Sequence, residues 1–289
     1  LSIYIKIDNY LFILDKIDHM GFFSSEDGGH ALDLSMAETS RLPVTGVTMR
    51  YPQGHAVPMH QHCRGHLIYA DRGLLRVETE TGQWLVPPTS AVWLLPGVAH
   101  RLFVPVALRA HGLFVREDLC ATLPESDRVV QVSGLAREII VSLTGLDGRT
   151  ENLRRAHLLG ELLIEELRAP PPLPFHLPWP RDAQMQAVCQ ALIHDPGHDA
   201  TAEDWADKLA MGGKTFHRRF LKGTGMSFGR WRQQLRLMSS LTLLMQGMPI
   251  IQVALASGYD SHSAYTTAFG KQFGHSPSAF MKHRPAAQT

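Results

Sequence analysis

Cysteine is scarce in this sequence: three residues in 289, an odd number with no C-x-x-C pair. That excludes a disulfide framework and a zinc finger, and it suits a reducing cytoplasm. Long apolar runs are missing too, none approaching the ~18 residues a membrane-crossing helix needs. Charge of either sign is modest: 28 Lys+Arg stand against 27 Asp+Glu, a net of +1. Taken whole, that balance argues against a nucleic-acid binder, while 44% hydrophobic residues exclude a disordered chain. What the sequence does have is a length that predicts two domains, and sixteen histidines.

Proline marks the division. Residues 169–180 read APPPLPFHLPWP, six prolines in twelve positions. Such a stretch is poor in amide donors and favours extended geometry, which predicts an inter-domain spacer. Residues 1–180 carry 16 basic against 20 acidic side chains, a net of −4, and residues 181–289 carry 12 against 7, a net of +5. The neutral total averages an acidic front and a basic back. Residues 1–19 differ again. Eleven of them are Ile, Lys, Asn, Tyr or Phe, whose codons are AT-rich, whereas the chain after Met20 is rich in Ala, Arg, Gly and Pro. They are expected to be translated upstream sequence, with Met20 as the start, since they lack a signal peptide's basic region and cleavage site.

The basic half predicts helices. In TAEDWADKLAMGGKTFHRRFLK, residues 201–222, Thr201 is an N-cap and Asp204 completes a near capping box. Met211-Gly212-Gly213 breaks the helix, and a second follows with Phe216 and Phe220 inward and Lys214, His217, Arg218, Arg219 and Lys222 on its other faces. A short helix, a glycine turn and a cation-rich helix match a helix-turn-helix. A long helix over 227–246 has Phe228, Trp231, Leu235, Met238 and Leu241 on one stripe. Helix, turn and helix then recur, with Gly258 turning and Ser261 capping a helix through Phe269.

Two such units make the likeness specific. GYDSHSAYTTAFGKQFGHSPSAF (258–280) and KTFHRRFLKGTGMSFGRWRQQLRL (214–237) resemble the DNA-binding domain of the AraC/XylS family of bacterial transcription regulators. The resemblance covers residues 181–285 and implies two recognition helices in adjacent major grooves of double-stranded promoter DNA. By position it implies that Lys214, His217, Arg218 and Arg219 contact DNA from the first, and His262, Ser263, Thr266 and Thr267 from the second. This chain departs from the pattern at Gly212 and Gly213, where the family has Ser-Pro, at Thr267, where it commonly has Arg, and at Gly270, where it has Lys or Arg. The second helix then has no Arg fork for guanine, so the first is expected to dominate specificity.

The acidic half alternates apolar and polar residues from Val47 to Val115, with turn signals at Gly54, Gly65, Gly73, Gly82, Pro87-Pro88 and Pro96-Gly97. That pattern predicts a β-barrel or sandwich. GHAVPMHQHCRGHLIYADRG (54–73) resembles the first cupin motif with His66 in place of the usual Glu, and LPGVAH (95–100) resembles the second. His60 and His62, two apart, share a face of a strand, and His66 has the same parity. With His100 they could complete an all-nitrogen site for Zn, Ni, Cu or Fe, although many sensor cupins hold an organic effector instead. Cys63 has the opposite parity. Tyr69, Trp84 and Trp93 are expected at the barrel mouth as an effector pocket. A leucine stripe over 151–168 (Leu153, Leu159, Leu163, Leu167) is expected to pack on the barrel or dimerise.

The expected architecture is therefore α+β with two domains: residues 20–168 form a cupin-type sensor and dimerisation domain, 169–180 a linker, and 181–289 an all-α domain with two helix-turn-helix units. The resemblance implies a cytoplasmic, homodimeric regulator, more often an activator, that answers to a small-molecule or metal effector and acts through RNA polymerase. The alternatives are a metal-dependent cupin enzyme, dioxygenase or isomerase, with an accessory DNA-binding domain, and a regulator that senses metal or redox state at the histidines themselves.

Overall fold

The computed structural model describes residues 40–146 and 153–282. Residues 1–19 and Met20, expected as upstream translation and start, lie outside them. Eight antiparallel strands form one sheet: β1 (Val44–Tyr51), β2 (Ala56–His60), β3 (Gly65–Thr79), β4 (Gly82–Val86), β5 (Ser90–Leu94), β6 (His100–Val115), β7 (Arg128–Gln131) and β8 (His176–Pro178). The order is β1-β6-β3-β4-β8, with β2 on β6 and β5 between β3 and β7. β3 and β6 pair from Gly65↔Val115 to Thr79↔His100, and register shifts between Ala70 and Arg76 bend them round a barrel.

Side-chain alternation sorts the strand residues into two cores. Ile68, Ala70, Val92, Leu94, Leu102 and Val104 fill the barrel and are buried. On the opposite face, Leu67, Tyr69, Trp93 and Leu113 pack against α2 (Gly134–Thr144) and α3 (Leu153–Leu167), which follow the short α1 (Glu117–Cys120). Within α3, Leu163 and Leu167 face that core as the stripe predicts, but Leu153 is exposed. Ala156 and Gly160 fill the inward positions nearer its start, where the helix crosses β1 closely.

The proline-rich segment is not a free spacer. Its residues 176–178 are β8, an edge strand on β4, and Leu85 N–H donates to the Phe175 carbonyl (3.0 Å) while Trp179 N–H donates to that of Thr81 (3.0 Å). Proline removes a donor but keeps its carbonyl, so an edge position tolerates it. The segment lies against the edge of the sheet, paired there through residues 176–178.

The C-terminal part is all helical: α4 (Ala183–His194), α5 (Ala202–Lys208), α6 (Gly213–Thr224), α7 (Phe228–Met245), α8 (Ile250–Ala256), α9 (His262–Phe273) and α10 (Pro277–Met281). Thr201 and Asp204 form a full capping box on α5, and Ser227 and Ser261 cap α7 and α9. α9 continues one turn past the expected Phe269, and Pro249 caps α8 instead of entering its first turn. Phe216, Phe220, Phe228 and Trp231 pack edge to face around the first unit. Arg236 of α7 ties the units together, donating to the carbonyls of Pro196, Gly197 and His198 before α5 and of Gly258 between α8 and α9. At Gly258 φ is +73°, and a Cβ there would meet the Arg236 guanidinium at 2.7 Å.

Candidate functional site

The two expected recognition helices are α6 and α9, and burial decides which of their polar residues are available. On α6, Phe216 and Phe220 are buried, which turns Lys214, His217 and Arg218 outward as one exposed face. His217 Nε2 stands 3.8 Å from Glu203 of α5. Arg219 is different. Its Nε and Nη2 bond Asp182 Oδ2 at 3.0 and 2.5 Å, and its Nη1 donates to Gln184 Oε1 at 2.7 Å. Asp182 also caps α4, accepting from the amides of Gln184 and Met185. Arg219 is thus turned back to fasten α6 to α4, which corrects its expected place on the DNA side: the residue before Phe220 sits at the edge of the buried stripe. The Asp182 signal was legible, since an Asp before a helix start is a capping pattern.

On α9, Tyr265 and Phe269 are buried, and His262, Ser263 and Thr267 are exposed. Thr266 is half-buried with a shielded hydroxyl that makes no hydrogen bond, so its side chain leans inward rather than toward a groove.

In the barrel, the four expected histidines converge. Residues 61–64 connect β2 to β3, so His60 ends one strand, His62 lies in the connection and His66 falls at the start of the next. Parity along one strand is not what gathers them. Pairing of His60 with His100 across β2 and β6, and a 2.8 Å bond from the Gly97 amide to the His62 carbonyl, bring the two motifs together. One ring nitrogen each from His60, His62 and His100 lies within 4.8 Å of the others. His66 stands beside them, its Nδ1 3.3 Å from His100 Nε2 and its ring stacked on Phe114 at 4.6 Å.

Tautomers follow from the surrounding carbonyls. His60 Nδ1 lies 2.7 Å from the Pro58 oxygen and His100 Nδ1 lies 2.8 Å from that of Val98. A carbonyl only accepts, so both rings carry the proton on Nδ1 and present an Nε2 lone pair to the cluster. Burial holds both rings neutral, lowering the His60 pKa and bringing His100 to about 4. His66 is held well below its ordinary value by burial first and then by the neighbouring imidazoles. Neutral imidazoles fixed by backbone carbonyls are what a transition metal requires of its ligands. Cys63 is exposed.

The expected effector-pocket aromatics are not at a mouth. Tyr69 and Trp93 face the helices outside the barrel, where Trp93 Nε1 donates to the Pro124 carbonyl at 3.0 Å. Trp84 is buried against the His176 ring, centroids 4.6 Å apart. All three are core residues.

Known proteins fall into line with both halves. A model of the AraC-like ligand binding domain matches residues 43–163, and one described as a helix-turn-helix domain matches 205–283. The HTH-type transcriptional regulator NimR of Escherichia coli is 33% identical over 226 residues, covering 78% of this chain and 82% of that protein. The chain belongs to the AraC family of transcription regulators. The HTH-type transcriptional regulator RipA of Corynebacterium glutamicum is 34% identical over 122 residues, 42% of this chain and 35% of that protein. Among solved structures, ToxT from Vibrio cholerae aligns with 84% of this chain and all of that one, at 10% identity and a TM-score of 0.37.

As an AraC-family protein, the chain couples a DNA-binding helical domain to a ligand-binding barrel, and the reading as a cupin enzyme gives way to that of a regulator. No helix among the described residues is long and apolar enough to cross a membrane. The parts that residue patterns did not disclose are the carbonyls of Pro58 and Val98, the Asp182–Arg219 tie and the Arg236 clamp. All depend on neighbours distant in sequence.

Proposed function

We propose that this AraC-family regulator senses a divalent transition metal, of the Zn, Ni, Cu or Fe class, at His60, His62 and His100. The observation that carries this reading is the pair of Nδ1–carbonyl bonds at His60 and His100, which leave Nε2 as the lone-pair nitrogen of each ring, together with the approach of one nitrogen each from His60, His62 and His100 to within 4.8 Å. A tetrahedral ion 2.0–2.1 Å from each nitrogen needs nitrogens about 3.3 Å apart, so the rings must turn inward slightly to close on it. An all-nitrogen set disfavours Mg and Ca, which take oxygen ligands. His66 serves as the neighbour of His100 in this scheme. Phe114 packs against the His62 and His66 rings, and buried apolar side chains such as Ile68, Val92 and Leu102 fill the barrel, which favours an effector the size of an ion.

Elemental analysis and titration with Zn(II), Ni(II), Cu(II) and Fe(II) test it. One equivalent per chain is expected, lost in His60→Ala and His100→Ala without loss of cooperative melting. A wild-type protein that binds none of the four would leave an organic effector of the ligand-binding domain as the reading.

On DNA, Lys214, His217 and Arg218 read bases from α6, and His262, Ser263 and Thr267 fit the adjacent groove from α9. Footprinting of Arg218→Ala and Thr267→Ala is expected to show a far larger loss of specificity from the first; equal losses would reject the ranking. The protein acts in the cytoplasm as a homodimer and recruits RNA polymerase at its promoters. In-vitro transcription with and without metal tests activation against repression.

A further inference from the structure

The barrel and the DNA-binding helices share one short strand. β8 holds only three residues, at the edge of the sheet, where one side pairs with β4 through Gly82↔Pro178, Gln83↔Leu177 and Trp84↔His176. Its other contacts are with the helices. Trp231 Nε1 of α7 donates to the Pro178 carbonyl at 2.9 Å, and Gln234 of the same helix donates to the His176 carbonyl. Phe175 stacks on Phe273 of α9 with centroids 5.0 Å apart, and Gln272 reaches the Pro174 carbonyl at 3.5 Å. The segment is therefore a strap gripped from both sides.

A single line of paired residues runs from the histidine cluster to this strap. His60 pairs with His100, His100 with Thr79, Thr79 with Gly82, and Gly82 with Pro178, whose carbonyl holds Trp231. Every step is a cross-strand pair of the same sheet, so a shift of β6 at His100 is passed from strand to strand to the strap. The strap also has space to move. An open cleft bordered by Glu80, Thr81, Pro178 and Trp179 on one side and Arg219 and Lys222 on the other lies next to it. A three-residue edge strand containing proline has few ladder bonds to lose, so it has the character of a two-position element.

The structure assigns to β8 the role of coupling element: docked on β4 it holds the DNA-binding helices to the barrel, and undocked it frees them, so occupancy of the histidine cluster is transmitted as a change in strap docking. The part concerning occupancy rests on the metal reading above; the part concerning DNA does not.

Gly82 offers a specific release. A Cβ there would meet His176 Nε2 at 2.5 Å and the Leu177 carbonyl at 2.8 Å, so Gly82→Ala pushes the strap outward. The opposite state is a staple, Thr81→Cys with Trp179→Cys across the bonded pair, in a Cys63→Ser background because Cys63 is exposed while Cys120 and Cys189 are buried. Binding is measured on a genomic fragment selected by the wild-type protein. The oxidised staple and Gly82→Ala are expected to differ in DNA affinity by about tenfold, within the range typical of coupled sites. Wild type should lie between them and move toward one on addition of Zn(II) or Ni(II), and reducing the staple should return it to the wild-type value. Affinities equal within about twofold would overturn the strap, whatever the metal does. If the two limits differ but wild type ignores Zn(II), Ni(II), Cu(II) and Fe(II), the metal reading fails and the strap stands. Should Gly82→Ala fail to melt cooperatively, the oxidised and reduced forms of the staple decide alone.

Discussion

At the scale of single residues, adjacent positions take opposite jobs. Arg218 is exposed on α6 while Arg219 is bonded back to Asp182 and Gln184. Arg218→Ala is expected to lose about 1–3 kcal/mol of discrimination between specific and scrambled DNA, with an unchanged melting temperature. Arg219→Ala should lower the melting temperature and weaken binding to both DNAs alike, because it loosens the seat of the helix. Competition binding and calorimetry separate the two. His176 makes a pH prediction. Burial holds its pKa at about 4 against 6.5 in a free imidazole. The unfolded chain takes up this proton first as pH falls, so the contribution is complete above about pH 6.5 and is lost between there and about pH 4. His176→Phe keeps a ring against Trp84 without the proton, and its melting temperature should fall less steeply over that window.

At the scale of elements, periodicity placed the helices well and their ends less well. α5, α6, α7 and α9 stand where the apolar stripes and the Thr201, Ser227 and Ser261 caps predict. α6 begins without a side-chain cap, at Gly212, and a Cβ on Gly213 would meet nothing within 4 Å. Gly213→Ala should therefore stabilise the domain by about 0.5–1 kcal/mol, seen as a higher melting temperature, since it reduces the freedom of the unfolded chain. On α3, Leu158 and Leu162 form an exposed pair one turn apart, and Leu135 and Val141 of α2, the helix that packs on α3, are exposed as well. These residues, rather than Leu153, Leu159, Leu163 and Leu167 together, are the apolar surface on which the proposed homodimer would form. Leu158→Glu with Leu162→Glu is expected to give a monomer by sedimentation, with the barrel still folded; a dimer that persists would place the interface elsewhere.

At the scale of the whole molecule, the +1 total conceals a division of charge: between residues 201 and 240 there are eight basic against three acidic side chains. DNA affinity should fall steeply with salt, with a log–log slope of about 0.9 for each phosphate contacted. What the amino-acid order determined by itself was local in origin. Stripes, caps and glycine turns identified both helix-turn-helix units, and the motifs holding His60, His62, His66 and His100 named residues that the fold brings near one another. These signals depend on neighbours a few positions away, so they survive without a fold. Tertiary structure decided what depends on distant partners. It turned Arg219 from DNA to Asp182, sent Tyr69 and Trp93 to the outer face of the barrel, and made a strand of the proline-rich segment. In each case the deciding atom belongs to another element: a carboxylate 37 residues earlier, a helix packed on the sheet, or the open edge of β4. Hydrogen bonds and burial are satisfied in space, and composition alone cannot say with whom.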